Sequence, residues 1–411
     1  MKPKEVMLVA GETSGDMLAA ELAGALRAEL MAMDTVYPPD LQPLCTGLEP
    51  RFFGAGGSRM KAAGVELAFD MTQHSVIGLW EALRNYLKFR RLFHQLIRMA
   101  RDRRPDIIIC VDFAGFNRRF AHAIRKYVRR RQDWFHDWKP TIVQYVSPQV
   151  WASREGRAYQ IARDYDLLLS IIPFEKSWYA SRLPQFRVEF VGHPMADRFQ
   201  GFQGANAKPD GRQTIVLLPG SRSGELENHM PVILSAMKLI RNALPNARAL
   251  MVLPDETLAQ QARSTGVPTD IQIQIGGLPE ALAQADLAIA STGTVTLECA
   301  FFGVPTVTLY KTSWITFQIA MSMVKVSSAT MPNLLANEEV FPEFLQGAAT
   351  PENISHAALL LLMDQKARER VKAALARVVA GLGGPGANRR AAKAIITQRW
   401  PDAASRLSLQ P

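Results

Sequence analysis

Cysteine is nearly absent, with three in 411 residues, at Cys45, Cys110 and Cys299. Widely spaced and without a CxxC pair, they give no sign of a disulfide framework or a zinc site. Also missing is any unbroken apolar run of the roughly 18–20 residues that a membrane span needs. The opening apolar stretch, Val6–Ala10, meets Glu12 and Asp16 almost at once, too soon for a secretory leader, so a cytoplasmic protein is expected. There is no low-complexity tract. No GxGxxG follows the first strand-like run, so a dinucleotide fingerprint is unsupported.

The length suits two domains better than one core. The composition, 48% hydrophobic and 21% charged, is that of a soluble globular protein. The formal charge of +10 is concentrated: Arg84 to Arg131 holds fifteen Lys/Arg against three Asp, a net of +12. A field of that kind selects anionic partners, whether nucleic acid, phospholipid headgroups or a phosphorylated substrate.

Strand-like runs alternate with helical patterns. Strands are expected at Val6–Ala10, Arg51–Ala55, Ile107–Val111, Thr141–Val146, Leu167–Ile171 and Val188–Val191. A second series follows at Thr214–Leu218, Ala249–Leu253, Asp286–Ala290 and Thr306–Tyr310. Most are continuous apolar runs, as strands covered on both faces should be. Helices are expected at Met17–Leu30, Glu81–Arg103, Arg118–Arg130 and Met230–Asn242. The alternation predicts an α/β protein of two Rossmann-like, doubly wound domains facing a cleft. The join falls near "DRFQGFQGANAKPDGRQ". Expected boundaries are 1–200 for the first domain, 201–375 for the second, and 376–411 for a helical segment packing back toward the first.

Open α/β sheets bind ligands at the carboxyl ends of their strands, so the polar turns there carry the candidates. "GETSGD" after the first strand offers Glu12, Ser14 and Asp16 beside free amides, suited to sugar hydroxyls or a phosphate. Its other reading is a capping box, Thr13 with Asp16. "LLPGSRSGELE" places Ser221 and Arg222 at a strand end, where a five-donor guanidinium suits a diphosphate; a solvated turn arginine is the alternative. In "IASTGTVTLECAFFGVP", Thr292, Gly293 and Thr294 precede a short helix and form an anion site, with Glu298 one turn inside to accept ribose hydroxyls. A plain N-cap competes with that reading. Asp112 in "ICVDFAGFN" is a candidate general base or a solvated turn aspartate. His193 in "VGHPMAD" is assigned to ordering its turn. "DYD" at Asp164–Asp166, a metal-binding pattern elsewhere, precedes a strand and is assigned to structure.

The ordered set "AGETSGD", "YVSPQVWA", "PFEKSWY", "FVGHPMAD", "LLPGSRSGE", "STGTVTLE" and "MPNLLA" resembles the lipid-A-disaccharide synthase family, inverting glycosyltransferases of the GT-B fold. The resemblance covers about residues 4–345. It implies transfer of 2,3-diacylglucosamine from UDP to the 6-hydroxyl of 2,3-diacylglucosamine 1-phosphate, giving the β-1,6-linked disaccharide 1-phosphate and UDP. It further implies that Asp112 is the base and that Glu12, Ser14 and Asp16 face the acceptor. Ser221, Arg222, Thr292, Gly293, Thr294, Glu298 and Asn333 would bind the UDP-sugar. No metal and no cofactor are expected, and homodimers are implied. Departures are Gly115 where the family has a second aspartate, Ser153 where it has tryptophan, and Thr292 where it has serine. Inserts at Pro38–Pro50 and Arg129–Lys139 are also unusual, so a divergent member is allowed for.

Acylated substrates require contact with a bilayer. "SVIGLWEALRNYLKFRRLFHQLIRMA" presents a broad apolar face with interleaved aromatics and flanking cations. Val76, Trp80, Leu83, Leu87, Lys88 and Arg91 are therefore expected to meet the anionic inner-leaflet surface, making the protein peripheral on the cytoplasmic face of the inner membrane. A core helix with solvated arginines is the other reading. Rival functions are a GT-B epimerase or transferase acting on a soluble UDP-N-acetylglucosamine substrate, and a catalytically silent acyl-sugar-binding relative. Nucleic-acid binding is not expected, because no recognised module accompanies the basic segment.

Overall fold

Each half of the chain begins its sheet in the middle. The computed structural model describes residues 3–34, 49–72, 86–131, 137–202, 212–313, 317 and 326–402. They divide into two compact units, Met1–Asp197 with Gly383–Pro411, and Arg198–Leu382.

The first unit opens with β1 (Glu5–Ala10), α1 (Thr13–Asp34), β2 (Arg51–Gly56), α2 (Ser58–Ala62) and β3 (Glu66–Asp70). Next come α3 (Tyr86–Arg103), β4 (Ile107–Val111), α4 (Ala114–Arg131), β5 (Thr141–Tyr145), α5 (Val150–Ser153) and α6 (Arg157–Asp164). β6 (Leu167–Ser170), α7 (Pro173–Ala180), β7 (Val188–Phe190) and α8 (Met195–Arg198) complete this run. The seven strands are parallel in the order β3-β2-β1-β4-β5-β6-β7.

The second unit repeats the plan. It comprises β8 (Thr214–Leu218), α9 (Ser223–Ala243), β9 (Arg248–Leu253), α10 (Glu256–Ser264), β10 (Ile271–Ile275) and α11 (Leu278–Ala283). β11 (Leu287–Ser291), α12 (Thr294–Phe301), β12 (Thr306–Tyr310), α13 (Met331–Ala336) and β13 (Glu343–Leu345) follow. α14 (Pro351–Met363) and α15 (Gln365–Gly381) end it, and the chain returns to the first unit as α16 (Ala387–Arg399). Its six parallel strands run β10-β9-β8-β11-β12-β13. Among the described residues no helix is long and apolar enough to cross a membrane.

Continuous apolar strands follow from helices on both sheet faces. In β1, Val6, Leu8 and Ala10 pack with Leu22 and Leu26 of α1 and Ile395 of α16, whereas Met7 and Val9 meet Leu96 of α3 and Phe120 of α4. In β8, Ile215 and Leu217 pack with Ile233 of α9; Val216 and Leu218 meet Cys299 of α12 and Leu375 of α15.

An aspartate just before a strand pins the amino edge of each sheet. Asp106 Oδ2 accepts the Glu5 amide at 3.0 Å, and Asp106 returns its own amide to the Glu5 carbonyl. Asp286 does the same for Thr214, at 2.7 Å. Asp166 does it for Ile142, at 2.8 Å, while also pairing with Arg125. The "DYD" aspartates are thus structural, since Asp164 is buried beside His122. His193 orders its turn, its Nδ1 accepting the Met195 amide. Asp197 caps α16 through the amides of Gly386, Ala387 and Asn388.

The loop between β5 and α5 is clamped from α7. Trp151 Nε1 donates to Glu175 Oε1 at 2.8 Å and Ser170 Oγ donates to Glu175 Oε2. Glu175 has no exposed surface, and burial pushes its carboxyl from about 4.5 up to about 7, against the Ser170, Trp151 and Ser147 hydrogen bonds. A carboxyl that binds its proton more tightly when folded stabilises the fold below about pH 4.5, and that contribution is lost as pH rises through 7. The stability difference between Glu175→Gln and wild type, measured by urea unfolding, should therefore move in favour of the variant by roughly 3 kcal/mol between pH 4.5 and 7.5. A difference that stays flat across that range would show that Glu175 does not titrate there.

Candidate active site

The strand order reverses between β1 and β4 and again between β8 and β11. At such switch points the following segments leave on opposite faces and open a crevice. All but one of the polar side chains the sequence singles out as catalytic or ligand-binding lie around these two places.

In the first unit, Glu12 is half-buried and Ser14 exposed, but the "GETSGD" loop is shorter than expected because α1 already starts at Thr13. Asp16 is not a presenting group. It is 2% exposed, and its carboxylate accepts the amides of Gly57 at 2.6 Å, Arg59 at 3.0 Å and Met60 at 3.1 Å. It caps α2 rather than its own helix, so the capping-box reading and the expected acceptor contact both give way to a shaping task. Gly11 is required by its neighbour: a Cβ there would lie 2.2 Å from the Phe113 ring.

Asp112 and Phe113, just past β4, both adopt left-handed backbone, with φ of 47° and 44°. Such residues cost on the order of 1–3 kcal/mol each and persist only where neighbours hold them. Here Asn117 holds them. Fully buried on α4, its Nδ2 donates to the carbonyls of Val9 (3.2 Å), Val111 (3.1 Å) and Asp112 (2.9 Å). Gln144 Nε2 reaches the Asp112 carbonyl at 3.4 Å, and the Asp112 amide donates to the Tyr145 carbonyl at 2.6 Å. The Asp112 carboxyl meets the Phe113 amide and, at 3.5 Å, Ser14 Oγ. Burial raises its pKa above the ordinary carboxylate range, opposed by the Phe113 amide and Ser14. It is a carboxylate made more basic, as a proton acceptor requires. Asn117 and Gln144 are not among the residues the sequence singles out. The available signal is an asparagine on the apolar stripe Phe113–Asn117–Phe120–Ile124.

In the second unit a cavity of about 480 Å³ opens at the carboxyl edge between β8 and β11. Ser221, Arg222, Thr292, Gly293, Thr294 and Glu298 all line it, beside an apolar wall of Val252, Leu253, Pro254 and Leu278. Gly220 has φ 134°, and a Cβ there would strike Glu225, whose carboxylate folds back to accept the Ser221 amide at 2.9 Å. Arg222 stays 76% exposed, 3.5 Å from that same carboxylate. Buried His229 braces the turn. Its Nδ1 donates to the Pro219 carbonyl at 2.6 Å, and its Nε2 accepts the Lys311 amide at 2.9 Å. Burial lowers its pKa, which keeps the ring in the neutral form this pair of bonds needs. His229, too, carries no motif that marks it in the sequence. Gly293 precedes α12 with φ 151° and open space around it. Burial pushes the Glu298 carboxyl up to about 6, with Arg198 opposing.

Asn333 does not join them. It is 2% exposed on α13 and all four of its hydrogen bonds are internal: to the Phe341 carbonyl and Glu343 Oε1, and from the amides of Val340 and Phe341, at 2.8–2.9 Å. It folds the turn before β13 rather than lining the cavity. Of the expected membrane face, Val76, Trp80 and Leu83 lie outside the described residues, as do the side chains of Leu87 and Lys88. Arg91 is exposed on α3, whose later residues Leu96 and Ala100 are core.

A family model described as lipid-A-disaccharide synthetase matches residues 6–396. The lipid-A-disaccharide synthase of Anaeromyxobacter dehalogenans is 34% identical over 400 residues, spanning 95% of this chain and 97% of that protein. Among solved structures, the glycotransferase of kitacinnamycin superposes with a TM-score of 0.59 at 18% identity, over 97% of this chain and 100% of that one. A putative UDP-N-acetylglucosamine 2-epimerase from Listeria monocytogenes gives 0.58 at 14%, over 97% and 96%. At those identities the likeness speaks for the fold, two Rossmann-like units of the GT-B type. The family match over nearly the whole chain and the 34% identical relative show that the chain belongs to the lipid-A-disaccharide synthase family.

Proposed function

We propose that the protein is a glycosyltransferase that moves 2,3-diacylglucosamine from UDP to the 6-hydroxyl of 2,3-diacylglucosamine 1-phosphate. The observation that carries this reading is a division of labour. One switch point offers a carboxylate of raised basicity on a braced backbone. The other offers a cavity with an exposed guanidinium and open amides.

The chemistry is a single displacement with inversion. Asp112 takes the proton of the acceptor hydroxyl as its oxygen attacks the anomeric carbon, and the bond to the UDP oxygen breaks. Negative charge grows on the departing diphosphate, so Arg222 and the Gly293–Thr294 amides act most strongly in the transition state. Glu298, its carboxyl raised to about 6 and shielded, accepts ribose hydroxyls. Ser14 orients the Asp112 carboxylate, and Glu12 contacts the acceptor sugar. Arginine and amides do the work a metal does in other transferases, so turnover needs no divalent ion.

The acyl chains place the enzyme on the anionic cytoplasmic surface of the inner membrane, through Trp80, Leu83 and Leu87 with Lys88 and Arg91. Cations of this kind add about 1 kcal/mol each near such a surface.

Purified protein given both lipids should form disaccharide and UDP by mass spectrometry, and should continue to do so in EDTA. No product would favour the silent-relative reading, and strict divalent-ion dependence would refute the metal-free mechanism. Asp112→Asn should bind UDP normally by calorimetry yet turn over at least about 10²-fold more slowly, the scale of general-base loss. Near-normal turnover would remove Asp112 from the role. Replacing Trp80, Leu83 and Leu87 together by serine should move protein from the membrane pellet to the supernatant without lowering its melting temperature. Unchanged partition counts against that surface.

A further inference from the structure

Beside Asp112 lies a hollow that the catalytic reading leaves unused. It is framed by Ala114 and Arg118 of α4, Gln144 of β5, Pro148 of the following loop, and Arg157 at the start of α6. Two of these connect it to Asp112. Ala114 is two residues further along the chain, and Gln144 donates to the Asp112 carbonyl.

The hollow gathers positive charge. Burial lowers the hold of Arg157 on its proton, and the charges of Arg154 and Arg118 lower it further. Arg118 spends one donor on the side-chain oxygen of Gln160, a neutral partner. Among the described residues no carboxylate pairs with Arg118 or Arg157. Elsewhere in the same unit some guanidiniums are matched by carboxylates, Arg103 by Glu5 and Glu66, Arg125 by Asp166 and Arg389 by Glu29, while Arg27 and Arg390 give their donors to backbone carbonyls. Like charges drawn together repel unless an anion comes between them. Two arginines lining one hollow suit the oxygens of a phosphomonoester, which a guanidinium can take in paired hydrogen bonds. A carboxylate beside the acceptor hydroxyl and guanidiniums beside the acceptor phosphate would fix that sugar at two points.

We propose that Arg118 and Arg157 receive the phosphomonoester of the acceptor sugar and so select a phosphorylated acceptor; this rests on the transferase reading above. Arg154, exposed on the same turn, adds to the field without lining the hollow.

The test compares diacylglucosamine 1-phosphate with the same lipid lacking its phosphate, in detergent, using wild type, Arg157→Lys and the double variant Arg118→Gln/Arg157→Gln. Wild type should prefer the phosphorylated acceptor. In the double variant that preference in kcat/KM should shrink by about 10–100-fold through KM, the scale of one or two lost charge-assisted hydrogen bonds. Arg157→Lys should keep part of it. Retained wild-type preference in the double variant, with UDP binding and melting temperature unchanged, overturns the site. Direct binding of the phosphorylated acceptor separates this failure from that of the transferase reading. If wild type makes no disaccharide, weaker acceptor binding by the double variant still supports the site, and equal binding rejects it. Vesicles of phosphatidylglycerol serve as the other phosphate source. Loss of vesicle binding with acceptor preference intact would assign the arginines to lipid headgroups and overturn the proposal.

Discussion

The reversal of strand order at β1/β4 and at β8/β11 is the constraint on which the rest depends. A parallel sheet wound outward from its centre must send the chain over one face and then the other, and only at the turning point do successive loops diverge. Both units therefore acquire a crevice at the same place, whatever residues fill it. The amino edge is closed off in the same way each time, by the reciprocal pairs of Asp106 with Glu5 and of Asp286 with Thr214.

Those loops diverge chemically while keeping one plan. After β8 and β11 the chain uses glycine, hydroxyls and one arginine, and these line the crevice. After β1 and β4 it uses carboxylates, and one of the three is consumed internally. Asp16 is spent on α2, and the backbone of Asp112 is spent on Asn117 and Tyr145, which leaves its side chain to the Phe113 amide and a long contact with Ser14. The backbone turns left-handed at Asp112 and Phe113 just past β4, and buried Asn117 is what makes that conformation hold.

Much of this is legible in the sequence because doubly covered strands leave an unmistakable apolar trace. Every strand named from that trace exists, from Val6–Ala10 to Thr306–Tyr310. The strands that leave no such trace, β3, β10 and β13, are edges of their sheets. Half-exposed edges need no continuous apolar run, and the alternation in "IQIQI" follows its mixed burial. Apolar periodicity starts three helices late, at Met17, Arg118 and Met230 instead of Thr13, Ala114 and Ser223, and in the first and third the opening turns hold polar residues of the site. Asp16 and Asn333 show a different limit. Each looks like a ligand contact, and each is satisfied by backbone that a sequence does not place nearby: Gly57 is 41 residues from Asp16, and Phe341 reaches Asn333 through a turn. A polar residue in a motif reads the same whether its partner is a ligand or a distant amide.

Burial then decides which carboxyl can be the base of the proposed transfer. Glu175 is raised to about 7 but has no exposed surface, so no substrate hydroxyl can reach it. Glu298, raised to about 6, shares its cavity with the groups suited to a diphosphate, and an approaching anion would raise it further toward the neutral form. Asp112 and Glu298 are both raised and partly exposed, and of the two Asp112 lies apart from the diphosphate-suited groups, with the Ser14 hydroxyl beside it. Gly115, where the family pattern carries a second acid, is exposed, and a Cβ placed there would meet no atom within 4 Å, so packing does not exclude an acid. The chain does without that acid for no steric reason. In the proposed reaction the whole burden of proton transfer then falls on Asp112, and the backbone brace of Asn117 becomes part of the chemistry.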